Sequence, residues 1–141
     1  MNEETLLYRQ VHPNFVQFDG ISTQAFSAPA SVTSQTFTPT DKDDNKLSVY
    51  DGDVFTPEQS YEHYTQKLSS YGVLGLTVTQ FDSQGLTAAA DDETFEGHVL
   101  IDYSSCKTKG ELIKKAKKLR DMAMQRNWLY RKPDEKEAGA S

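Results

Sequence analysis

Residues Thr108–Tyr130 read TKGELIKKAKKLRDMAMQRNWLY, and this stretch decides how the rest of the chain must be arranged. Thr108 stands three residues before Glu111, the spacing at which a threonine side chain caps the amide of residue 111 while the glutamate reaches back to residue 108. Leu112, Ala116, Leu119 and Ala123 recur at steps of four and three. Ile113, Met122 and Met124 widen that apolar stripe, as an amphipathic helix requires. Lys114, Lys115, Lys117, Lys118 and Arg120 fall outside it. Arg126 comes in the last turn, where the helix dipole favours a cation, and Asn127 suits a left-handed stop. Trp128-Leu129-Tyr130 then reads as a short strand or aromatic clamp returning to the core, and Lys132-Pro133 ends it.

A helix with one apolar stripe needs a surface to cover, and the preceding residues supply strands for it. Leu6 to Val11 reads as a strand stopped by His12-Pro13, since proline restricts the residue before it and lacks a donor. Asn14 to Phe18 alternates weakly. Asp19-Gly20 marks a turn, and a hairpin to Ile21–Phe26 is expected across it. Residues 27–40 have loop composition with short extended pieces, and a polar turn follows from Asp41 to Lys46. Leu47 to Tyr50 is a short strand closed by Asp51-Gly52-Asp53. A second helix is expected from Thr56, with Pro57 at its first position, Gln59 completing a capping box and Gly72 as its stop. Its face would carry Tyr61, Tyr64 and Leu68. Val73 to Phe81 has the β-branched look of a central strand. Residues 82–96 read as polar loop with an acidic patch at Asp91-Asp92-Glu93 and Glu96. His98 to Tyr103 is a further strand. This order predicts an α+β fold: one domain over residues 1–132, with a mixed or antiparallel sheet of about five short strands and two helices packed on one face. An acidic, disordered tail is expected over 133–141.

The 141 residues suit one domain, and the modest apolar fraction of 36% is offset by seven Phe, seven Tyr and one Trp. No apolar run approaches the roughly 18 residues of a membrane span. The acidic start MNEETLLYRQ lacks an apolar signal-peptide core, and the single Cys106 excludes an internal disulfide, so the chain reads as cytoplasmic. Net charge is −6 but unevenly spread: residues 107–132 hold ten Lys/Arg against two acids, and residues 1–106 hold four against sixteen. A basic helix on an acidic body either balances that body or faces a charged partner.

No phosphate loop, dinucleotide fingerprint, HExxH, CxxC pair or GxSxG elbow is present. His12, His63 and His98 lie on three separate elements, and no metal site is expected. The Asp41–Asn45 run lacks the glycine and terminal glutamate of a calcium loop. Cys106 reads as a small residue near a strand end. Chemistry, if any, is expected near Arg9, because an arginine in an apolar strand needs a charged or hydrogen-bonding partner. His12, Ser22, Thr23, Gln24 and Ser48 are its candidate neighbours. The order of an arginine on a first strand, a Gly/Ser segment and a Ser-Val-Tyr strand entering a helix, over residues 6–70, is similar to that of small ADP-ribosyltransferase-type domains. That resemblance implies NAD-consuming chemistry with Arg9, His12 and Ser22 as catalytic or phosphate-holding residues. It fixes no catalytic glutamate, and Glu62 and Glu96 are candidates for one.

Three functions follow from these residues. The sequence favours a small non-catalytic protein-binding module, an accessory, regulatory or immunity-type partner of another protein, with no cofactor. Its contacts would come from Lys114, Lys115, Lys117, Lys118, Trp128 and Tyr130, or from the acidic loops. The alternative is a nucleotide-processing enzyme, for which Arg9→Ala should remove activity and spare thermal stability. The third is nucleic-acid binding through the basic helix. It is disfavoured by the acidic body, which would repel phosphate, and by lysines outnumbering arginines.

Overall fold

Leu6–Val11 forms β1, the strand around which the sheet assembles. The computed structural model describes residues 1–17, 31–40 and 44–131. Along them follow a 3-10 turn at Pro13–Phe15, β2 (Val16–Gln17), β3 (Ser31–Val32), a 3-10 turn at Ser34–Phe37 and β4 (Lys46–Asp51). Next come α1 (Pro57–Tyr64), β5 (Gly72–Thr77), α2 (Val78–Asp82), β6 (Thr87–Ala90), β7 (His98–Asp102), α3 (Lys109–Arg126) and β8 (Tyr130–Arg131). Six strands form one antiparallel sheet in the order β6-β7-β4-β1-β5-β8, and β2 pairs with β3 in a separate ribbon. The chain is therefore α+β on an antiparallel sheet, with six strands where about five were expected.

The two long helices lie on opposite faces, which differs from the expected packing on one. The reason is in the topology. β4 and β5 are both antiparallel to β1, so they run parallel to each other, and α1 carries the chain between them. β7 and β8 also run parallel, but opposite to β4 and β5, and α3 makes that crossover in the same lateral direction. Parallel crossovers share one hand, so two that travel the same way from oppositely directed strands must use opposite faces.

Strand alternation supplies each face with its own core. Leu7, Val11, Leu47, Val49, Leu74, Leu76, Val99 and Ile101 meet Ala116, Leu119 and Ala123 of α3, with Phe37, Phe81 and Tyr103 between the layers. Tyr8, Tyr50 and Val73 face the other way, against Tyr61 and Tyr64 of α1 and against Phe55, Phe95, Leu129 and Tyr130. The apolar side is aliphatic under α3 and aromatic under α1.

The local helix signals are realised where they are self-contained. Thr56 and Gln59 form the full capping box of α1, and Thr108 accepts from the Glu111 amide at 3.1 Å. Glu111 itself takes the Lys107 amide at 3.1 Å rather than that of Thr108, so the box at α3 is half-formed. Asn127 ends α3 at a positive φ of 78°, but its ψ of 172° lies outside the left-handed helical region expected of it. Four expectations are corrected. α1 ends at Tyr64, so Leu68 lies beyond it, 59% exposed, and Gly72 opens β5, where a Cβ would meet the Tyr130 carbonyl. β5 stops at Thr77, which caps α2 with Gln80 in a second capping box. The supposed loop at 82–96 holds β6, an edge strand paired to β7. The Ser/Thr-rich stretch carries buried Val32, Thr36 and Phe37 under α3, with the Tyr103 hydroxyl donating to the Phe37 carbonyl at 2.7 Å. Val16–Gln17 pairs with Ser31–Val32; the expected Asp19-Gly20 hairpin to 21–26 and the tail 133–141 lie outside the described residues.

Candidate functional site

β1 and β4 are adjacent but pair only at Leu7↔Asp51 and Tyr8↔Tyr50. Beyond Tyr8 the strands separate, and the Arg9 side chain takes over the bridging. Its Nε donates to the Thr36 carbonyl at 2.7 Å and its Nη1 to the Ser48 carbonyl at 3.0 Å. The guanidinium fork suits this task, because it presents several donors in a fixed plane. Backbone carbonyls are thus among the partners that an arginine in this strand requires.

On the α1 face, the separation leaves a cavity of about 320 Å³. Ser48 and Tyr50 of β4, His98 of β7, and Arg9 and Gln10 of β1 line it from the sheet. His63, Tyr64 and residues 66–68 line it from α1 and the turn after it, and Phe95 closes one end. α1 is held over the sheet by a buried polar network. Gln10 Nε2 donates to Ser60 Oγ at 3.0 Å, Ser60 Oγ donates to the Pro57 carbonyl at 2.7 Å, and Ser70 Oγ lies 2.9 Å from Gln10 Oε1. Buried polar groups cost free energy unless partnered, and these are partnered.

Two imidazoles enter the cavity with defined partners. His98 Nδ1 lies 2.9 Å from Asp91 Oδ2, and its Nε2 lies 3.2 Å from Ser48 Oγ. Asp91 also accepts from the Thr94 hydroxyl at 2.6 Å. That bond, and then the one from His98, hold its carboxyl below the usual range. An ionised carboxylate only accepts, so the proton of His98 sits on Nδ1; in the neutral ring Nε2 is then an acceptor for the Ser48 hydroxyl. On the opposite wall the Tyr50 hydroxyl lies 2.8 Å from His63 Nδ1. Burial, with Tyr64 nearby, pushes the Tyr50 phenol up to about 12, so at neutral pH it keeps its proton and donates it. The Phe95 ring stands 4.5 Å from His63, 4.9 Å from His98 and 5.3 Å from Tyr50, centroid to centroid.

The electrostatics oppose those of the chain as a whole. Arg9 and Lys67 line the cavity, and among the described residues no lining side chain is a carboxylate. The net charge of the protein is −6. The Asp91 carboxylate reaches the site only through His98.

Of the residues the sequence singled out, Arg9 and Ser48 come together here. His12 does not line the cavity: its Nδ1 accepts from the Asn14 amide at 3.0 Å and its ring rests near Phe15. Ser22, Thr23 and Gln24 lie outside the described residues. Glu62 and Glu96 are exposed and do not line the cavity. Among the described residues, no group of three His, Cys, Asp or Glu is placed to hold a metal ion. Lys114, Lys117 and Lys118 are exposed on α3, and Lys115 is half-buried with its Nζ 3.7 Å from Glu111. Trp128 packs against Tyr71 at 5.2 Å, and Tyr130 against Tyr61 at 5.0 Å on the α1 side. The sequence reading passed over Asp91, His98 and Tyr50 as a group. Asp91 looked like one acid of a patch, and the register that brings β4 beside β7 is not written in either strand.

No helix among the described residues is long and apolar enough to cross a membrane. No family model, no curated protein and no solved structure matches the chain.

Proposed function

We propose that this protein binds a small anion carrying a flat ring, an aromatic carboxylate or a mononucleotide, in the cavity between α1 and the sheet. The observation that carries the reading is the composition of the lining: Arg9 and Lys67 and, among the described residues, no carboxylate, around an aromatic box of Tyr50, His63, Phe95 and His98. In an acidic protein, a cationic recess is a place where an anion gains from Coulomb attraction. The aromatic faces offer stacking, and about 320 Å³ lies at the small end of ligand sites. The reading keeps Arg9 from the nucleotide-enzyme alternative and replaces His12 and Ser22 by Ser48, His63 and His98. The lone Cys106 favours a cytoplasmic setting for it.

Thermal-shift and calorimetric titration with benzoate-type acids, mononucleotides and NAD tests it. A true ligand at about 100 times its dissociation constant adds about 2.7 kcal/mol of stability. The gain should vanish in Lys67→Glu and in His63→Ala. A flat response across the set, or a gain unchanged in both variants, would refute it.

A second reading, an acidic protein partner for α3, is favoured by one observation. Lys114, Lys117 and Lys118 are exposed and, among the described residues, make no ion pair. Reversing all three to Glu should abolish co-purification of such a partner from the native host and leave the cavity titration unchanged. Retention of the partner would exclude it.

A further inference from the structure

We infer that Ser48 is a nucleophile, activated by His98 and positioned by Asp91, and that the cavity hydrolyses a carboxylic ester of the ligand it binds. The inference rests on the binding reading above and deepens it. Three observations meet at one place. Ser48 Oγ is within hydrogen-bond distance of His98 Nε2, and Nδ1 of the same ring is held by Asp91. This order of hydroxyl, imidazole and carboxylate is the arrangement by which a weak hydroxyl becomes reactive. The two working groups are differently exposed: Ser48 is open to solvent, whereas the His98 side chain is only 10% exposed. A base sheltered from water beside an accessible hydroxyl is what attack on a bound ester needs. Both line the cavity, so a ligand there lies against the hydroxyl.

The three residues come from three places that only the fold unites. Ser48 and Tyr50 stand on one face of β4, and β7 pairs so that His98 faces Tyr50 and Leu100 faces Ser48. His98 is therefore the diagonal neighbour of Ser48 on the same face, within reach of a long side chain. Asp91 follows β6 at the start of the turn into β7, its amide bonded to the His98 carbonyl at 2.7 Å. Gly97, at φ 94°, makes the bend that delivers His98 to the strand.

The step balances without a co-reactant. Ser48 Oγ forms a bond to the ester carbonyl carbon and gives its proton to His98 Nε2, with the electron pair moving onto the carbonyl oxygen. The carbonyl re-forms, the alkoxide leaves, and His98 returns the proton to it as alcohol. Water then attacks the acyl-serine with His98 as base, releasing the carboxylic acid and restoring Ser48. The Arg9 guanidinium, bound to the carbonyl of Ser48 itself, puts positive charge beside the oxyanion that forms. Asp91 touches no reacting atom and acts through His98.

The test uses the full chain with a fluorophosphonate probe and with p-nitrophenyl acetate, read by intact mass and peptide mapping. The expected result is a single modification at Ser48, absent in Ser48→Ala. The labelling rate should fall at least about 100-fold in His98→Gln, the scale of general-base catalysis. Asp91→Asn, at a half-buried carboxylate, guards against a folding defect at buried His98: labelling should fall in it and recover in part in Asp91→Glu, with the unfolding temperature unchanged. If the three groups only tether β4 to β7, wild-type Ser48 stays unmodified, which overturns the inference. Equal labelling in His98→Gln and Asp91→Asn overturns it as well. An unlabelled protein that still binds the anion refutes the nucleophile alone, whereas loss of both results refutes the binding reading too.

Discussion

Replacing Arg9 by methionine keeps the apolar stem and removes the guanidinium, and with it at least the two backbone bonds. The Thr36 carbonyl would lose its 2.7 Å donor, and Thr36 is fully buried. A buried acceptor left unpaired costs about 1–3 kcal/mol. The Ser48 carbonyl loses its 3.0 Å donor on the more exposed side, where water can replace it, so its loss is nearer about 1 kcal/mol. No ladder bond can take over, because β1–β4 pairing ends at Tyr8↔Tyr50. The sum is about 2–4 kcal/mol. For a chain of 141 residues this lowers the unfolding midpoint by on the order of 10 °C. Urea denaturation should show that loss at constant m-value, since the surface exposed on unfolding does not change. Arg9→Lys should recover less than half, because one ammonium cannot bridge two carbonyls held by a planar fork. The nucleotide-enzyme alternative implied that Arg9 could be removed with little effect on stability, and the fold predicts the opposite. An Arg9→Met protein within about 0.5 kcal/mol of wild type would refute the bridging argument.

Further outcomes follow from other contacts. Ser60→Val removes both the donor to the Pro57 carbonyl and the acceptor of Gln10 Nε2, and should cost about 2–3 kcal/mol, with faster hydrogen exchange in α1. Gly97→Ala must place a Cβ 2.6 Å from the Phe55 ring at φ 94°, and should cost about 1–3 kcal/mol and change the chemical shifts of the His98 ring. Thr77→Ala opens the α2 capping box and should cost about 1 kcal/mol by urea denaturation. Tyr50 ionises at about 12 in the folded protein and near 10 when unfolded, so the folded state holds its proton more tightly. Its contribution is complete below pH about 10 and is lost as pH rises toward 12; the alkaline fall in stability should be shallower in Tyr50→Phe.

Features decided within a few residues could be read from the chain. The caps at Thr56 and Thr108, the stop at Asn127 and the α3 stripe of Leu112, Ala116, Leu119 and Ala123 depend on neighbours three or four positions away. β1 and β7 announced themselves by apolar runs. Misread elements had signals that local rules assign elsewhere. Thr77-Val78-Thr79 looks β-branched, yet the Thr77–Gln80 box turns it into α2. The alanines of β6 carry little periodicity, so only pairing with β7 makes them a strand. Phe37 sits in loop-like sequence, but α3 needs a large side chain opposite it.

The sequence by itself determined an α+β chain, its principal helices and an arginine that required a partner. The tertiary structure decided the rest. Two crossovers of one hand placed α1 and α3 on opposite faces, and the parting of β1 from β4 opened the cavity. The β4–β7 register set Ser48 beside His98, and the turn after β6 brought up Asp91. These positions depend on register, handedness and strand order, which are properties of pairs of distant segments. A side-chain period can say which face a residue takes, but not which residue it will face.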